Sequence, residues 1–166
     1  MSFRLTEEMA DFFVNIDKSK IKGESFLELD KFYACLMLGL RAGEFNKTAK
    51  FKDPFLASGA RWPEAYREYD TYLLGLLVEA EIRRRQLDSK DRDLMEQETV
   101  RLLDPSADAA FGLSEKGIEL MNAYAARGFE LLREKMTPPQ GVESFLASYA
   151  QLFWEDDEDA ALAETA

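Results

Sequence analysis

Residues 32–40 are apolar on nearly every side of a helix, and this stretch constrains the fold of the chain most strongly. It lies within a segment from about Ser25 to Arg41 whose apolar residues recur every three or four positions, which is the spacing of one helix face. A helix that is apolar all round must be covered by other elements on several sides. We therefore expect a central helix here, with four mostly buried side chains: Phe32, Leu36, Met37 and Leu40.

Five other segments show the same helical spacing of apolar residues, over residues 6–18, 63–86, 89–103, 114–136 and 141–154. Thr6 and Ser114 are suited to cap two of these helices. Pro63 fits the first position of another, in which Tyr66 and Tyr69 belong to the apolar face. No segment alternates apolar and polar residues as a half-buried strand does. The sequence predicts an all-α fold, a compact single-domain bundle of about six helices.

Residues 42–62 connect two of these helices without sustained periodicity. They contain Gly43, Asn46, Pro54 and Gly59, which favour turns. A connection of about twenty residues is longer than a structureless loop usually is in a compact domain. We therefore expect this segment either to have a function or to contain a short element of its own.

The acidic excess of the chain is concentrated at its C-terminal end. The net charge is −11, and residues 155–166 hold six acidic residues and no basic one. We expect a helical domain over residues 1–154 and an acidic, disordered tail over residues 155–166, which either keeps the protein soluble or docks on a basic partner. An acidic protein repels nucleic acid on average, so nucleic-acid binding is not favoured.

Histidine is absent from the chain, and Cys35 is its only cysteine. This composition excludes nucleophile pairs that depend on histidine, as well as the common zinc sites. The motifs of phosphate-binding loops, dinucleotide-binding folds and nucleophile elbows are also missing. Glu79 and Glu81 are two positions apart and point to different helix faces, which is the wrong spacing for a shared metal ion. We expect a protein that is not an enzyme and has neither cofactor nor metal, with Cys35 as a buried, inert thiol.

Two groups of residues are candidates for contact with a partner or with nucleic acid. The first combines basic residues and an aromatic one in and beside the long connection: Arg41, Lys47, Lys50, Phe51 and Lys52. The second consists of consecutive arginines at the end of a predicted helix: Arg83, Arg84 and Arg85. Each group also has a simpler interpretation. The connection is then a solvated loop held by its Phe side chains, and the arginines then complement the dipole of their helix.

The sequence contains no sign of a membrane or secretory protein. No apolar run approaches the roughly 18 residues that a membrane-spanning helix requires, and residues 1–11 lack the pattern of a secretory signal. One thiol cannot form an internal disulfide, which agrees with a reducing compartment. We expect a cytoplasmic protein without membrane contacts.

The segment from Lys31 to Arg41, KFYACLMLGLR, resembles part of the small accessory proteins encoded beside bacterial DNA phosphorothioation and related phage-defence systems. Those proteins have a similar aromatic and Ala-rich helix that ends in Leu-Gly-aromatic-Arg, and Leu40 stands at the place of that aromatic here. The resemblance covers about eleven residues. It implies a non-catalytic subunit of a multi-protein defence assembly.

Two functions are consistent with these features. The first is a non-catalytic accessory or adaptor subunit of a bacterial multi-protein assembly, which acts through contacts with larger protein subunits. Phage defence is the assembly that the resemblance implies. The alternative is a nucleic-acid-associated regulator that uses the basic residues as a local patch.

Overall fold

The chain folds into seven helices without a strand in the residues that the computed structural model describes, which are 2–18, 27–56, 61–88, 90–106 and 110–152. The helices are α1 (Glu7–Phe12), α2 (Val14–Lys18), α3 (Glu28–Ala42), α4 (Asp70–Arg85), α5 (Arg92–Leu102), α6 (Glu115–Lys135) and α7 (residues 142–152). The same residues include two short 3₁₀ turns, Glu64–Tyr66 and Ala110–Gly112, and two isolated β bridges. These observations confirm the predicted compact, all-α fold.

Helices α3 and α6 form the centre of the molecule and contact each other more extensively than any other pair of described helices. Phe32, Leu36 and Leu40 of α3 are at most 2% exposed, as predicted. Met37 is also mostly buried, although less completely, and it packs against the edge of the core. The two helices approach closely because glycines remove side chains from the contact. A Cβ atom on Gly39 would lie 2.0 Å from a backbone carbonyl oxygen of α6.

The N-terminal segment packs into the same core. Phe3 is fully buried, and its ring contacts three other aromatic rings: Phe32, Trp62 and Phe111. Thr6 caps α1, as predicted, with its hydroxyl accepting a hydrogen bond from a backbone N–H of the first turn. The aromatic contacts therefore join the start of the chain to α3 and to the segments that precede α4 and α6.

The helix predicted for residues 63–86 begins later than expected. A 3₁₀ turn follows Pro63, with the N–H of Tyr66 donating to the Pro63 carbonyl at 2.8 Å, and α4 starts only at Asp70. Trp62 is buried and anchors the chain before this bend. The sequence placed Tyr66 and Tyr69 on the apolar face of this helix. Because of the bend, Tyr69 is 52% exposed, whereas Tyr66 is partly buried and packs against the core.

The starts of the next two helices are set by capping side chains. Helix α5 begins at Arg92 rather than Ser89, because the carboxylate of Asp91 caps its first turn. It exposes most of its residues, as predicted. Helix α6 follows Ser114, whose hydroxyl accepts a hydrogen bond from the N–H of Gly117 at 3.0 Å, which confirms the predicted cap.

Helix α7 packs on α3 near the end of the described chain. The hydroxyl of Tyr149 donates to the carbonyl of Ala34 at 2.7 Å, and Phe145 is 1% exposed. The end of the predicted last helix and the predicted acidic tail, residues 153–166, lie outside the described residues, as does the predicted start of the central helix near Ser25. In the part of the chain that is described, no helix combines the length and the apolar character needed to cross a lipid bilayer.

Candidate functional site

The connection between α3 and α4 is tied to other elements in its described part, residues 43–56. The backbone N–H of Asn46 donates to a carbonyl of α6 at 2.9 Å, and that of Lys52 donates to the carbonyl of Leu5 at 2.9 Å. Phe51 is half-buried and forms an isolated bridge with the N-terminal segment. The connection is therefore an ordered layer against the N-terminal segment and α6.

The lysines predicted to form part of a basic patch have different surroundings. Lys47 places its Nζ 4.9 Å from the centre of the Phe45 ring. Lys52 has an exposed side chain. Lys50 borders a groove of about 390 Å³ together with three glutamates: Glu7, Glu8 and Glu130. Two of these glutamates form ion pairs with arginines of α6, Glu130 with Arg127 and Glu8 with Arg133.

The three consecutive arginines of α4 interact with three different groups, in addition to lying in the last turn of the helix. Arg83 donates from Nη2 to a backbone carbonyl of α3 at 3.0 Å. Arg84 donates from Nε and Nη2 to the two carboxylate oxygens of Glu81, at 2.8 and 2.9 Å. Arg85 pairs with Glu98 of α5. All three arginines are thus paired with carboxylates of the chain itself, since Arg83 also lies 3.7 Å from a Glu79 oxygen.

Two buried carboxylates lie where α4, α5 and α6 meet, since Glu81 is 0% and Glu98 is 2% exposed. Arg101 joins them, because its Nη2 donates to Glu81 at 2.7 Å and its Nε donates to Glu98 at 2.9 Å. The hydroxyl of Tyr124 donates to Glu81 at 2.7 Å. We call this set of side chains the ionic junction: Glu81, Arg84, Arg85, Glu98, Arg101 and Tyr124.

The ionic junction keeps the carboxylate of Glu81 charged. Burial alone would raise the pKa of Glu81, but hydrogen bonds from Arg84 and Tyr124, the charge of Arg84 and a hydrogen bond from Arg101 outweigh it and lower the pKa to about 2. Burial and the hydrogen bond to Glu81 raise the pKa of Tyr124. These two groups therefore keep their ordinary protonation states near neutral pH, whereas a general acid or base needs a pKa near the working pH.

The ionic junction was not predicted from the sequence, although the sequence contains a signal for it. Glu81 follows Leu73 and Leu77 at a spacing of four, so it occupies a position on the buried face of α4. Glu98 precedes the buried Leu102 at the same spacing. An acidic residue on a buried face indicates a buried ion pair. The pattern does not show which arginines would form it.

Four of the six tyrosines lie on one side of the molecule, where α3 meets the start of α4. Tyr69 and Tyr72 are 52% and 58% exposed. The rings of Tyr33 and Tyr66 pack edge to face, with their centres 5.5 Å apart. Burial, together with the nearby Tyr72 and Tyr69 hydroxyls, raises the pKa of Tyr33. We call this surface the tyrosine face: Tyr33, Tyr66, Tyr69 and Tyr72.

A groove of about 250 Å³ lies beside Tyr72, between α3 and α4. Its charged end contains Arg41 from α3 together with Arg83 and Glu79 from α4, and the Arg83 Nε lies 3.7 Å from a Glu79 oxygen. Apolar side chains line the rest of it: Met37, Leu40 and Leu76. The structure thus brings two of the predicted contact arginines into one groove, which none of the three lysines lines.

The remaining reactive side chains are closed off or separated. Cys35 is fully buried, as predicted, and burial raises the pKa of its thiol. Glu79 and Glu81 point to different faces, also as predicted, because the side chain of Glu79 is 61% exposed and that of Glu81 is 0% exposed. In the described ranges, no group of three cysteine, aspartate or glutamate side chains is arranged to hold a metal ion.

Three comparisons with known proteins test whether this arrangement occurs elsewhere. No protein-family model, curated protein or solved structure matches the chain.

Proposed function

We propose that this protein is a non-catalytic adaptor or accessory subunit that binds a larger protein through the tyrosine face and the adjoining groove. The observation that carries the proposal is the exposure of Tyr69 and Tyr72, each of which shows more than half of its surface to solvent. A tyrosine provides a large contact area at a low loss of conformational freedom, and its hydroxyl remains able to hydrogen-bond at the edge of a contact. Aromatic residues are accordingly enriched in protein interfaces.

The rest of the tyrosine face supports docking because it is ordered in advance. The hydroxyl of Tyr66 donates to Asp30, and the contact between Tyr33 and Tyr66 orients both rings. Side chains that are already held lose less freedom when a partner binds. The groove then adds an apolar centre with arginines at one end, which matches the apolar core and polar rim of protein interfaces.

The groups with shifted pKa values support a non-catalytic role. Glu81 and Tyr124 are bound to each other in the ionic junction. Burial and the hydrogen bond to Asp30 raise the pKa of the Tyr66 hydroxyl, and Cys35 is sealed in the core. Each of these groups is engaged within the fold, whereas a catalytic group must reach a substrate.

The segment Lys31–Arg41 contributes to the proposed interface. Tyr33 belongs to the tyrosine face, and Met37 and Arg41 line the groove. Because this segment resembles accessory proteins of bacterial phage-defence systems, a cytoplasmic defence assembly is the class of partner to test first. The protein would then join larger subunits of that assembly without acting on a substrate itself.

Affinity purification from the native host tests the proposal. The tagged parent protein should recover a stoichiometric larger partner, and Tyr72→Ala should reduce that recovery at least about tenfold, because an aromatic anchor is lost. Val100→Ala is a matched control, since Val100 is an apolar residue of α5 that is 70% exposed. It should leave the recovery unchanged. The thermal midpoints of both variants should equal that of the parent.

Two outcomes would contradict the proposal. One is a clean monomer without a partner under several conditions, and the other is equal recovery by the parent and Tyr72→Ala. A parallel comparison of Phe51→Ala with Lys50→Glu then shows whether the connection is the interface instead. In a protein contact, the aromatic change should reduce recovery more than the charge change.

The nucleic-acid alternative makes a different prediction. A regulator that uses the connection should bind duplex DNA in a gel shift, with log affinity falling by about 0.9 per neutralised phosphate for each unit of log salt. Replacing Lys47, Lys50 and Lys52 by Glu should abolish that binding. An adaptor should show negligible DNA binding from the start.

A further inference from the structure

The glycines inside the described helices show where backbones approach closely. Gly39 of α3 and Gly128 of α6 lie at the crossing of these helices, and a Cβ atom on Gly128 would lie 1.8 Å from the carbonyl oxygen of Cys35. Gly117 is packed just as tightly, since its Cβ would lie 2.2 Å from the carbonyl oxygen of Leu102. At each of these three positions, a neighbouring backbone occupies the space that a side chain would need.

Gly75 of α4 is the exception among the glycines of the described helices. It is exposed, and outside its own stretch of helix no atom of the described residues lies within 4 Å of where its Cβ would be. Glycine in a helix interior is less favourable than alanine, because its backbone loses more freedom on folding. The described part of the fold therefore provides no neighbour that requires a glycine at this position.

The surroundings of Gly75 are those of a contact surface. Positions three and four apart share a helix face, so its face of α4 also carries the exposed residues Thr71, Tyr72 and Glu79. Two of these residues, Tyr72 and Glu79, line the groove beside the tyrosine face, so Gly75 borders this groove. The described side chains at the charged end of the groove are two arginines and one glutamate, in a chain whose net charge is −11. An acidic side chain from a partner would be complementary to that end.

We propose that the occupant of this face is an α-helix of a partner protein that crosses α4 at Gly75, an inference that rests on the proposed function of the tyrosine face. Helix backbones touch only where small residues leave the crossing free of side chains. Gly39 and Gly128 do so within this chain. The partner helix packs apolar side chains against Tyr72 and places an acidic side chain near Arg83, where the charges are complementary.

Photo-cross-linking from the tyrosine face identifies the partner segment. The change Tyr72→p-benzoylphenylalanine keeps an aromatic ring at this position and reacts with groups that contact it in the native host. Mass spectrometry then locates the cross-linked peptide, and a synthetic peptide of that sequence is the probe for binding to the purified full chain. We expect a peptide from a different protein, with amphipathic helical spacing and an acidic residue near one end. Its helicity in circular dichroism should rise on binding.

Substitutions at Gly75 test the crossing itself. Gly75→Leu should weaken binding of this peptide at least about tenfold, because the new side chain fills the contact. Thr99→Leu is the matched control, since Thr99 is exposed on α5 and does not line the groove, and it should leave binding unchanged. Gly75→Ala should weaken binding about threefold while raising the thermal midpoint of the free protein by about 2–4 °C. Arg83→Gln should reduce the affinity and its salt dependence, whereas Arg92→Gln should change neither.

Several results would overturn the inference. A cross-linked peptide from a second copy of this chain, or from its own residues 153–166, would identify a different occupant. Binding without a gain in helicity would exclude a helix. If Gly75→Leu binds as well as the parent while Tyr72→Ala does not, the proposed function stands and only the helix crossing is wrong. If no cross-link forms at position 72 and Tyr72→Ala recovers the partner normally, both are wrong.

Discussion

The α3–α6 crossing and the ionic junction are both buried, but opposite kinds of contact hold them together. At the crossing, Gly39 and Gly128 remove side chains so that two helix backbones meet. At the junction, Glu81 and Glu98 fill the space between helices and are satisfied by arginines and a tyrosine hydroxyl. The first contact depends on shape, and the second depends on paired charge.

This difference determines how each region should respond to change. A close-packed crossing has no room for an added atom, since neighbouring backbone cannot move without disturbing its own helix. The side chains of Arg84, Arg85 and Arg101 remain between 31% and 40% exposed, so they can turn toward water when a carboxylate is lost. A substitution that adds even one methyl group at the crossing should therefore destabilise the fold strongly. Substitutions in the ionic junction should cause smaller losses of stability that depend on the group removed, and the stability that the junction contributes should fall in acid.

The largest effect is expected at the crossing. Gly128→Ala should lower the free energy of unfolding by more than about 4 kcal/mol or prevent folding, because the new Cβ would lie 1.8 Å from a backbone oxygen and 2.6 Å from the N of Gly39. Urea titration measures this loss. Gly75→Ala is the control, and it should leave the stability unchanged or raise it by up to about 1 kcal/mol. A loss below about 1 kcal/mol for Gly128→Ala would show that shape does not govern the crossing.

Shortening a buried side chain beside the crossing should cause the next largest loss of stability. Leu36 is 1% exposed, and Leu36→Ala should reduce the free energy of unfolding by about 2–5 kcal/mol, through lost apolar burial and the cavity left behind. Leu146→Ala, at a site that is 52% exposed on α7, should change it by less than about 0.5 kcal/mol. Comparable losses for the two variants would place α3 at the periphery rather than the centre.

Acid titration tests how much stability the charge of Glu81 contributes to the ionic junction. The pKa of Glu81 is lowered from its ordinary 4.5 to about 2, so its ionised form contributes stability that is fully present above about pH 4.5 and is lost as the pH falls toward 2. Glu81→Gln should therefore cost about 2–3 kcal/mol in the free energy of unfolding at pH 7. The gap between parent and variant should narrow below pH 4.5, because a protonated Glu81 resembles glutamine.

The control for this titration is Glu79→Gln. Glu79 is on the same helix, and its side chain is 61% exposed, so this variant should follow the parent at every pH. Urea titrations in steps from pH 7 to pH 3 provide the measurement. A gap between parent and Glu81→Gln that stays constant over this range would show that the charge of Glu81 does not stabilise the junction.

The smallest effect is expected from removing one hydrogen bond of the junction. Tyr124→Phe keeps the buried ring and leaves Glu81 its donors from Arg84 and Arg101, so the loss should be about 1 kcal/mol. The pKa of Glu81 should rise, and the loss of stability in acid should begin at a higher pH than in the parent. Tyr72→Phe, at an exposed position, should change neither quantity. A loss above about 3 kcal/mol would mean that the junction is as intolerant as the crossing.

Features that depend on neighbouring residues of the chain could be predicted from the sequence. The caps at Thr6 and Ser114, the buried thiol of Cys35 and the all-α fold were predicted correctly. Each follows from spacing within one or two helical turns, or from the local density of apolar residues. The exact start of α4 was not predicted, because a buried Trp62 and a 3₁₀ turn override the apolar spacing there.

The candidate site could be predicted only in part. Arg41 and Arg83 were predicted as contact residues and line the groove of the proposed interface, but Tyr66 and Tyr69 were assigned to the apolar face of a helix and not to a contact surface. The ionic junction was missed because its partners are far apart in the chain: Glu81 meets Arg101 across 20 positions and Tyr124 across 43. A spacing pattern within one or two helical turns cannot pair residues that are separated by this many positions.

Residue type and spacing along single segments were enough to predict where the chain is helical and which helix is central, and composition was enough to show which chemistry is excluded. Which glycines are packed against a neighbouring backbone followed only from the packing of the helices. Gly39, Gly75 and Gly128 are alike in sequence terms, as each lies inside a predicted helix. Gly39 and Gly128 are packed against backbone and Gly75 is open, because what occupies the space beside a glycine comes from a different part of the chain.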